Sequence, residues 1–235
     1  ELDAQLRMVQ QQSGGAIMLS GIDYTNFQGT IQAGATGQQN INVPARRRSI
    51  KSILWTGASK TFVAGGGAAQ EVLYNQSFGG NMNMTEYSVR VGSIQYPSEP
   101  VQCNYGLAAG PAGVRSEHLT ELEKAFGSLG STVGLGSLTG FNFATGDSDV
   151  ANMTGVIAAG NADASYKFCP FAIDMESFQR VSAGHDGVNT ADRSTPITLQ
   201  LTVGAAAGEA VAIDAYVCYD ALYYIDATGS IRVSF

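Results

Sequence analysis

PITLQLTV (Pro196–Val203) alternates apolar and polar side chains without a break. Ile197, Leu199, Leu201 and Val203 fall on one side of an extended chain, with Thr198, Gln200 and Thr202 on the other. A period of two is that of a half-buried strand, because successive side chains of an extended chain point to opposite faces. TEYSVRVG (Thr85–Gly92) repeats the pattern, with Tyr87, Val89 and Val91 against Glu86, Ser88 and Arg90. AVAIDAYVCYDALYYI (Ala210–Ile225) reads as a long half-buried strand, bent near Asp220. SIRVSF ends the chain after the hairpin turn DATG (Asp226–Gly229). Upstream, AIMLSGIDYTNFQGTIQAG (Ala16–Gly34), QQNINV (Gln38–Val43) and SIKSILWT (Ser49–Thr56) supply the first strands.

RSEHLTELEKAFGSLG (Arg115–Gly130) departs from this pattern. Leu119, Leu122, Ala125, Phe126 and Leu129 recur three to four apart, which predicts a helix with Ser116 as its N-cap. Many short strands with one or two short helical insertions point to an all-β fold, a jelly-roll β-sandwich. Residues 1–15 are expected to form an N-terminal arm or linker, and residues 16–235 the jelly-roll domain.

Charged residues make up only 14% of the 235 and the net charge is -7. So little charge, in a chain rich in Gly and Ala, suggests a surface that is partly covered in an assembly. The acidic balance argues against nonspecific nucleic-acid binding, which needs summed cationic charge. No run of 18 apolar residues is present to span a membrane as a helix. Cys103, Cys169 and Cys218 are widely spaced and read as reduced, buried thiols.

A catalytic or metal site is hard to assemble from these residues. His118, beside Glu117 and Glu121, reads as a solvated helix residue, and His185 lies next to Asp186 in a loop. Asp147 with Asp149, and Asp186 with Asn189 and Asp192, offer oxygen ligands, but neither set matches a twelve-residue calcium loop. Turn formation explains them better. No catalytic residue, cofactor or metal is therefore expected.

The basic cluster in NVPARRRSIKSILW (Asn42–Trp55) lacks the interleaved aromatics of a single-strand-binding surface. A strand starts immediately after it, and Ile50, Ile53 and Trp55 are candidate core anchors. Arg46, Arg47 and Arg48 are candidate subunit contacts, to be paired with Glu117, Glu121 or Glu123 of a neighbour.

Four stretches in order resemble the double jelly-roll major capsid proteins of polinton-like viruses, virophages, adintoviruses and their large-DNA-virus relatives. They are INVPARRRSIKSILWT (Ile41–Thr56), YSVRVGSIQYPSEPV (Tyr87–Val101), HLTELEKAFG (His118–Gly127) and FAIDMESFQRVSAGHDGVNTADRSTPITLQL (Phe171–Leu201). They match mainly the family's C-terminal jelly roll. The resemblance implies a capsid structural protein of the virion, without catalysis. Its partners would be itself, in trimeric or pseudo-hexameric capsomers of an icosahedral shell, and other capsid proteins. The chain is short for two jelly rolls, which implies either a single one or a missing N-terminal half. The competing expectation is a jelly-roll module binding glycan or Ca²⁺ through its Asp/Asn loops, as a lectin or receptor-binding domain does.

Overall fold

The computed structural model describes residues 16–59, 84–103, 117–126, 171–176, 187–192, 196–204, 210–226 and 230–234. In chain order these form β1 (Ala16–Ile31), β2 (Gly37–Val43), β3 (Ile50–Ser59), β4 (Met84–Val91), β5 (Ile94–Gln102), α1 (Glu117–Ala125), β6 (Phe171–Asp174), β7 (Ile197–Val203), β8 (Val211–Asp226) and β9 (Ile231–Ser234). Sheet A has the order β1-β8-β3-β6, with β9 beside β8, and sheet B the order β2-β7-β4-β5. Every pairing is antiparallel. Apart from the neighbours β4–β5 and β8–β9, strands close in sequence are thus dealt alternately to the two sheets, and each sheet is sewn together by partners distant in the chain. That strand order makes the sandwich a jelly roll, with five strands in sheet A and four in sheet B among the described residues.

Alternation in the sequence becomes burial in the sandwich. Ile197, Leu199, Leu201 and Val203 of β7 are buried and the residues between them are only half-buried. In β8 the inward set is Val211, Ile213, Ala215, Val217, Tyr219 and Ala221. Between the sheets Trp55, Tyr87 and Phe171 form one aromatic cluster. Trp55 meets Tyr87 edge-on at 4.8 Å between centroids and stacks on Phe171 at 5.9 Å. Ile50 and Ile53 are fully buried in the same core.

Two glycines are required where they stand. Gly92, at φ +60°, opens the two-residue turn between β4 and β5, where a primed hairpin turn needs a left-handed residue. At Gly29 of β1 a Cβ would run into the side chain of Ile41 on β2, so the missing side chain lets the two sheets approach at this edge.

The other side of the sandwich is closed differently. There β6 ends sheet A and β5 ends sheet B, and α1 packs across β6, β3 and β5. The expectation for His118 is overturned here: its side chain is 1% exposed. The buried face of α1 carries His118, Glu121 and Leu122, whereas Phe126 is 52% exposed. The physical reason is the crossing of the helix over two sheet edges, which turns the polar-looking face of its first turn inward. The helix ends at Ala125, two residues before Gly127.

Sequence reading missed β5 as a strand of the pattern. Its Pro97 and Pro100 break the apolar alternation, and prolines are tolerated on an edge strand because the missing N–H faces away from the ladder. Near Asp220, where a bend is expected, β8 changes its neighbour. β8 runs unbroken to Asp226, with β3 alongside up to Tyr219 and β9 alongside from Leu222.

Candidate interaction surfaces

Pro44–Ser49 carries the chain from sheet B to sheet A, and it is clamped by a segment about 140 residues later. Ile50 and Val188 exchange two backbone hydrogen bonds, each 2.9 Å. Thr190 is fully buried, and its N–H donates to the Arg47 carbonyl at 2.8 Å. The Thr190 hydroxyl lies 3.2 Å from the carbonyls of Ala45 and Arg47. Gly187 donates its N–H to Ser49 Oγ at 3.1 Å, and Ser49 Oγ donates to Asp220 Oδ2 at 2.5 Å. A Cβ on Gly187 would collide with the Ile50 carbonyl. Gly187→Ala is therefore expected to cost about 1–3 kcal/mol, as other overpacked sites do. Urea denaturation followed by tryptophan fluorescence measures it.

The three arginines separate into different environments. Arg46 and Arg48 are exposed, with Arg46 Nη1 donating to the Asp192 carbonyl at 3.1 Å. Arg47 is half-buried and its guanidinium carbon sits 4.4 Å from the centre of the Tyr219 ring. Arg47 Nη2 donates to Thr25 Oγ1, Thr25 donates to the Tyr219 hydroxyl, and that hydroxyl donates to Asp23 Oδ2 at 3.0 Å. The chain of donors runs from a cation to an anion, so each hydroxyl is polarised in the same direction. Lys51 sits nearby between two carboxylates, 2.5 Å from Glu176 and 3.7 Å from Asp220. Arg47 thus ties β3's entry to β1 and β8 within one chain, and the exposed cations of the cluster are Arg46 and Arg48.

The acidic candidates lie on or beside α1. Glu117 is exposed, and its Oε2 accepts the N–H of Gln102 at 2.9 Å, capping an amide of the edge strand β5. Glu121 is nearly buried and accepts from Lys124 Nζ at 2.6 Å. Glu123 is half-buried. Between β5 and α1 runs a groove of about 550 Å³, lined among others by Glu99, Val101, Glu117, Glu121 and Lys124.

The buried thiols and phenols of the described residues show the effect of a dry interior. Burial pushes the Cys218 thiol up, against the pull of Tyr24, Ser52 and Lys51. Tyr87, wholly enclosed, is raised well above the ordinary phenol range for the same reason, with Cys103, Glu121 and Glu117 adding to it. Among the described residues no three His, Cys, Asp or Glu side chains converge to hold a metal ion. Asn189 turns its Oδ1 to the N–H of Ala191 at 3.0 Å, the geometry of a turn former. His185, Asp147, Asp149, Asp186 and Cys169 lie outside the described residues. No helix of the described residues is long and apolar enough to cross a membrane.

A surface that sequence reading did not single out lies where β1, β8 and β9 run together. Met18, Leu19, Ile22, Ile231 and Val233 are 41–63% exposed there. The signal was the run Ile17-Met18-Leu19, which is apolar at both parities and so leaves neither face of the strand polar.

No protein-family model and no curated protein matches the sequence. Solved structures similar in chain course include PBCV-1 VP54 fitted into a reconstruction of the virophage Sputnik, at 9% identity and a TM-score of 0.46, covering 94% of this chain and 51% of that one. The mavirus major capsid protein is similar at 10% identity and a TM-score of 0.42, covering 94% of this chain and 42% of that one. The Sputnik virophage structure from cryo-EM gives 9% and 0.43, with 94% and 39% covered. The chain therefore spans about half, or less, of the length of the structures it resembles.

Proposed function

We propose that the chain is a structural protein of a viral capsid, which self-assembles into capsomers of an icosahedral shell and acts in the virion without catalysis. One observation carries the reading. Two of the segments that resemble the capsid family, Ile41–Thr56 and Phe171–Leu201, are far apart in sequence yet lock together at Ile50–Val188 and Arg47–Thr190. The resemblance thus falls on residues that hold one another in a jelly-roll frame, not on scattered positions. A sandwich of this kind is a rigid slab whose sides and loops are free for subunit contacts.

Capsomers of three copies, or pseudo-hexameric ones, are the finer form of this proposal, with other capsid proteins as further partners. Arg46 and Arg48 are the contacts on one side of the subunit joint. Glu117 and Glu123, with Glu99 in the groove beside them, are the contacts on the other. Glu121 contributes less, since Lys124 already holds it. A head-to-tail joint of this sort closes into a ring when the rotation between copies allows it.

The test is light scattering and electron microscopy of the purified chain across salt and pH. Closed symmetric homo-oligomers are expected, and a chain that stays monomeric throughout would overturn the reading. Arg46→Glu with Arg48→Glu is expected to leave the monomer folded and weaken assembly at least about tenfold, because like charges then face each other. Arg47 is left out of this variant because its guanidinium packs within the subunit on Tyr219.

A further inference from the structure

The paired ends of β1 and β8, from Ala16 opposite Asp226 to Ile22 opposite Asp220, form with β9 a three-stranded ribbon. Its two faces can be assigned by register. Tyr219 and Ala221 face the core, so Tyr223 and Ile225 continue that face, together with their partners Leu19, Ile17, Val233 and Ile231. Yet Leu19 is 51% exposed and Ile231 63%. The core-type surface therefore runs on beyond the part of the sandwich that covers it. Met18 and Ile22, on the opposite face, are exposed as well.

The outer edge of β1 is the end of sheet A among the described residues. Sixteen residues long, it contains neither Pro nor Lys, and Ala16–Ile22 has no charge at all. Edge strands of proteins that remain single are normally blunted by a charge, a proline or a bulge. Here the usual devices are missing where the side chains are most apolar.

We propose that this ribbon takes a second copy of the chain, β1 against β1 in antiparallel pairing across a two-fold axis, so that sheet A continues into the partner. The proposal rests on the self-assembly reading above. A two-fold axis sets the stretch against itself, and an uncharged stretch meets no like-charge repulsion in doing so. Asp23, Asp220 and Asp226 stand at the margins of the ribbon and outnumber its one cation among the described residues, Arg232 on β9, a balance that disfavours an anionic lipid surface or a nucleic acid.

The experiment is sedimentation of the full chain over a range of concentrations, for wild type, Leu19→Glu/Val233→Glu and the single variant Met18→Lys on the opposite face. The wild type is expected to associate. Both variants are expected to associate roughly a hundredfold more weakly, with unchanged circular dichroism, because the replaced side chains are exposed in the subunit. Amide exchange of Ala16–Ile22 is expected to slow with concentration in the wild type alone. If the ribbon variants associate as the wild type does while Arg46→Glu/Arg48→Glu weakens association, the ribbon proposal falls and the assembly reading stands. A wild type that never associates overturns both. Flotation of the wild type, but not the variants, with neutral phosphatidylcholine vesicles would make lipid the occupant and overturn the proposal.

Discussion

Trp55→Ala is expected to remove about 3–5 kcal/mol of stability, the largest loss available to a single substitution in this core. Trp55 is 1% exposed and fills the space between Tyr87 of sheet B and Phe171 at the edge of sheet A. Its removal leaves a hole bounded by two rings that are themselves fixed. Tyr87 is tethered by its hydroxyl to the Ala172 carbonyl at 3.3 Å, so the site collapses poorly. Most domains are stable by only about 5–15 kcal/mol, so the alanine variant is expected to be partly unfolded at moderate urea. Trp55→Phe is expected to cost much less. The indole N–H is buried without a hydrogen-bond partner among the described residues, and phenylalanine removes that unpaired donor while keeping most of the ring. Urea midpoints of the two variants, measured by circular dichroism, check both the size and the ordering.

Acidification through the His118 range is expected to give the second largest effect. Burial lowers the imidazole from 6.5 to about 4, with the Gln102 backbone and Glu117 pulling the other way. Above pH 6.5 the ring is neutral in folded and unfolded chains alike, and the group leaves stability unchanged. Between 6.5 and 4 the unfolded chain takes up the proton and the folded one does not, so stability falls as the pH falls. Below 4 both are protonated and the loss is complete, on the order of 3 kcal/mol. Denaturation of wild type and His118→Gln across pH 7 to 4 isolates this part, since carboxylate titration is common to both. The difference between the two chains is expected to close toward pH 4. Parallel curves would rule the effect out.

The fold was legible wherever one face of a strand meets the core and the other meets water. β7 carries that contrast in every second residue, and β4 from Tyr87 and the long β8 to Ala221 carry it except where Ser88 and Cys218 are buried on the other face. Legibility failed where the environment is set by something distant. Nothing near Arg47 announces that Tyr219 will lie beneath its guanidinium, or that Thr190 will bond to its carbonyl. His118 looked solvated because its sequence neighbours are glutamates, and only the crossing of α1 over two sheet edges reverses that. The arginine cluster was read as a unit, whereas the sandwich divides it into two exposed cations and one held inside the subunit. The ribbon went unnoticed because exposure of an apolar side chain is a property of what fails to cover it.

The pairing of β1 with β8 also dictates an order of events during synthesis. Thr25 and its partner Tyr219 are 194 residues apart along the chain. At ordinary translation rates β1 waits roughly 10–40 s for the strand that will shelter it. Sheet A has no earlier neighbour for β1, since every other strand of that sheet reaches it only through β8. The nascent chain thus carries a strand whose first half, Ala16–Ile22, is uncharged and mostly apolar, in search of a pairing edge throughout that interval. On crowded polysomes, neighbouring nascent copies present the same strand at the same moment, which makes premature pairing between them a kinetic competitor of folding and gives holding chaperones a defined segment to cover.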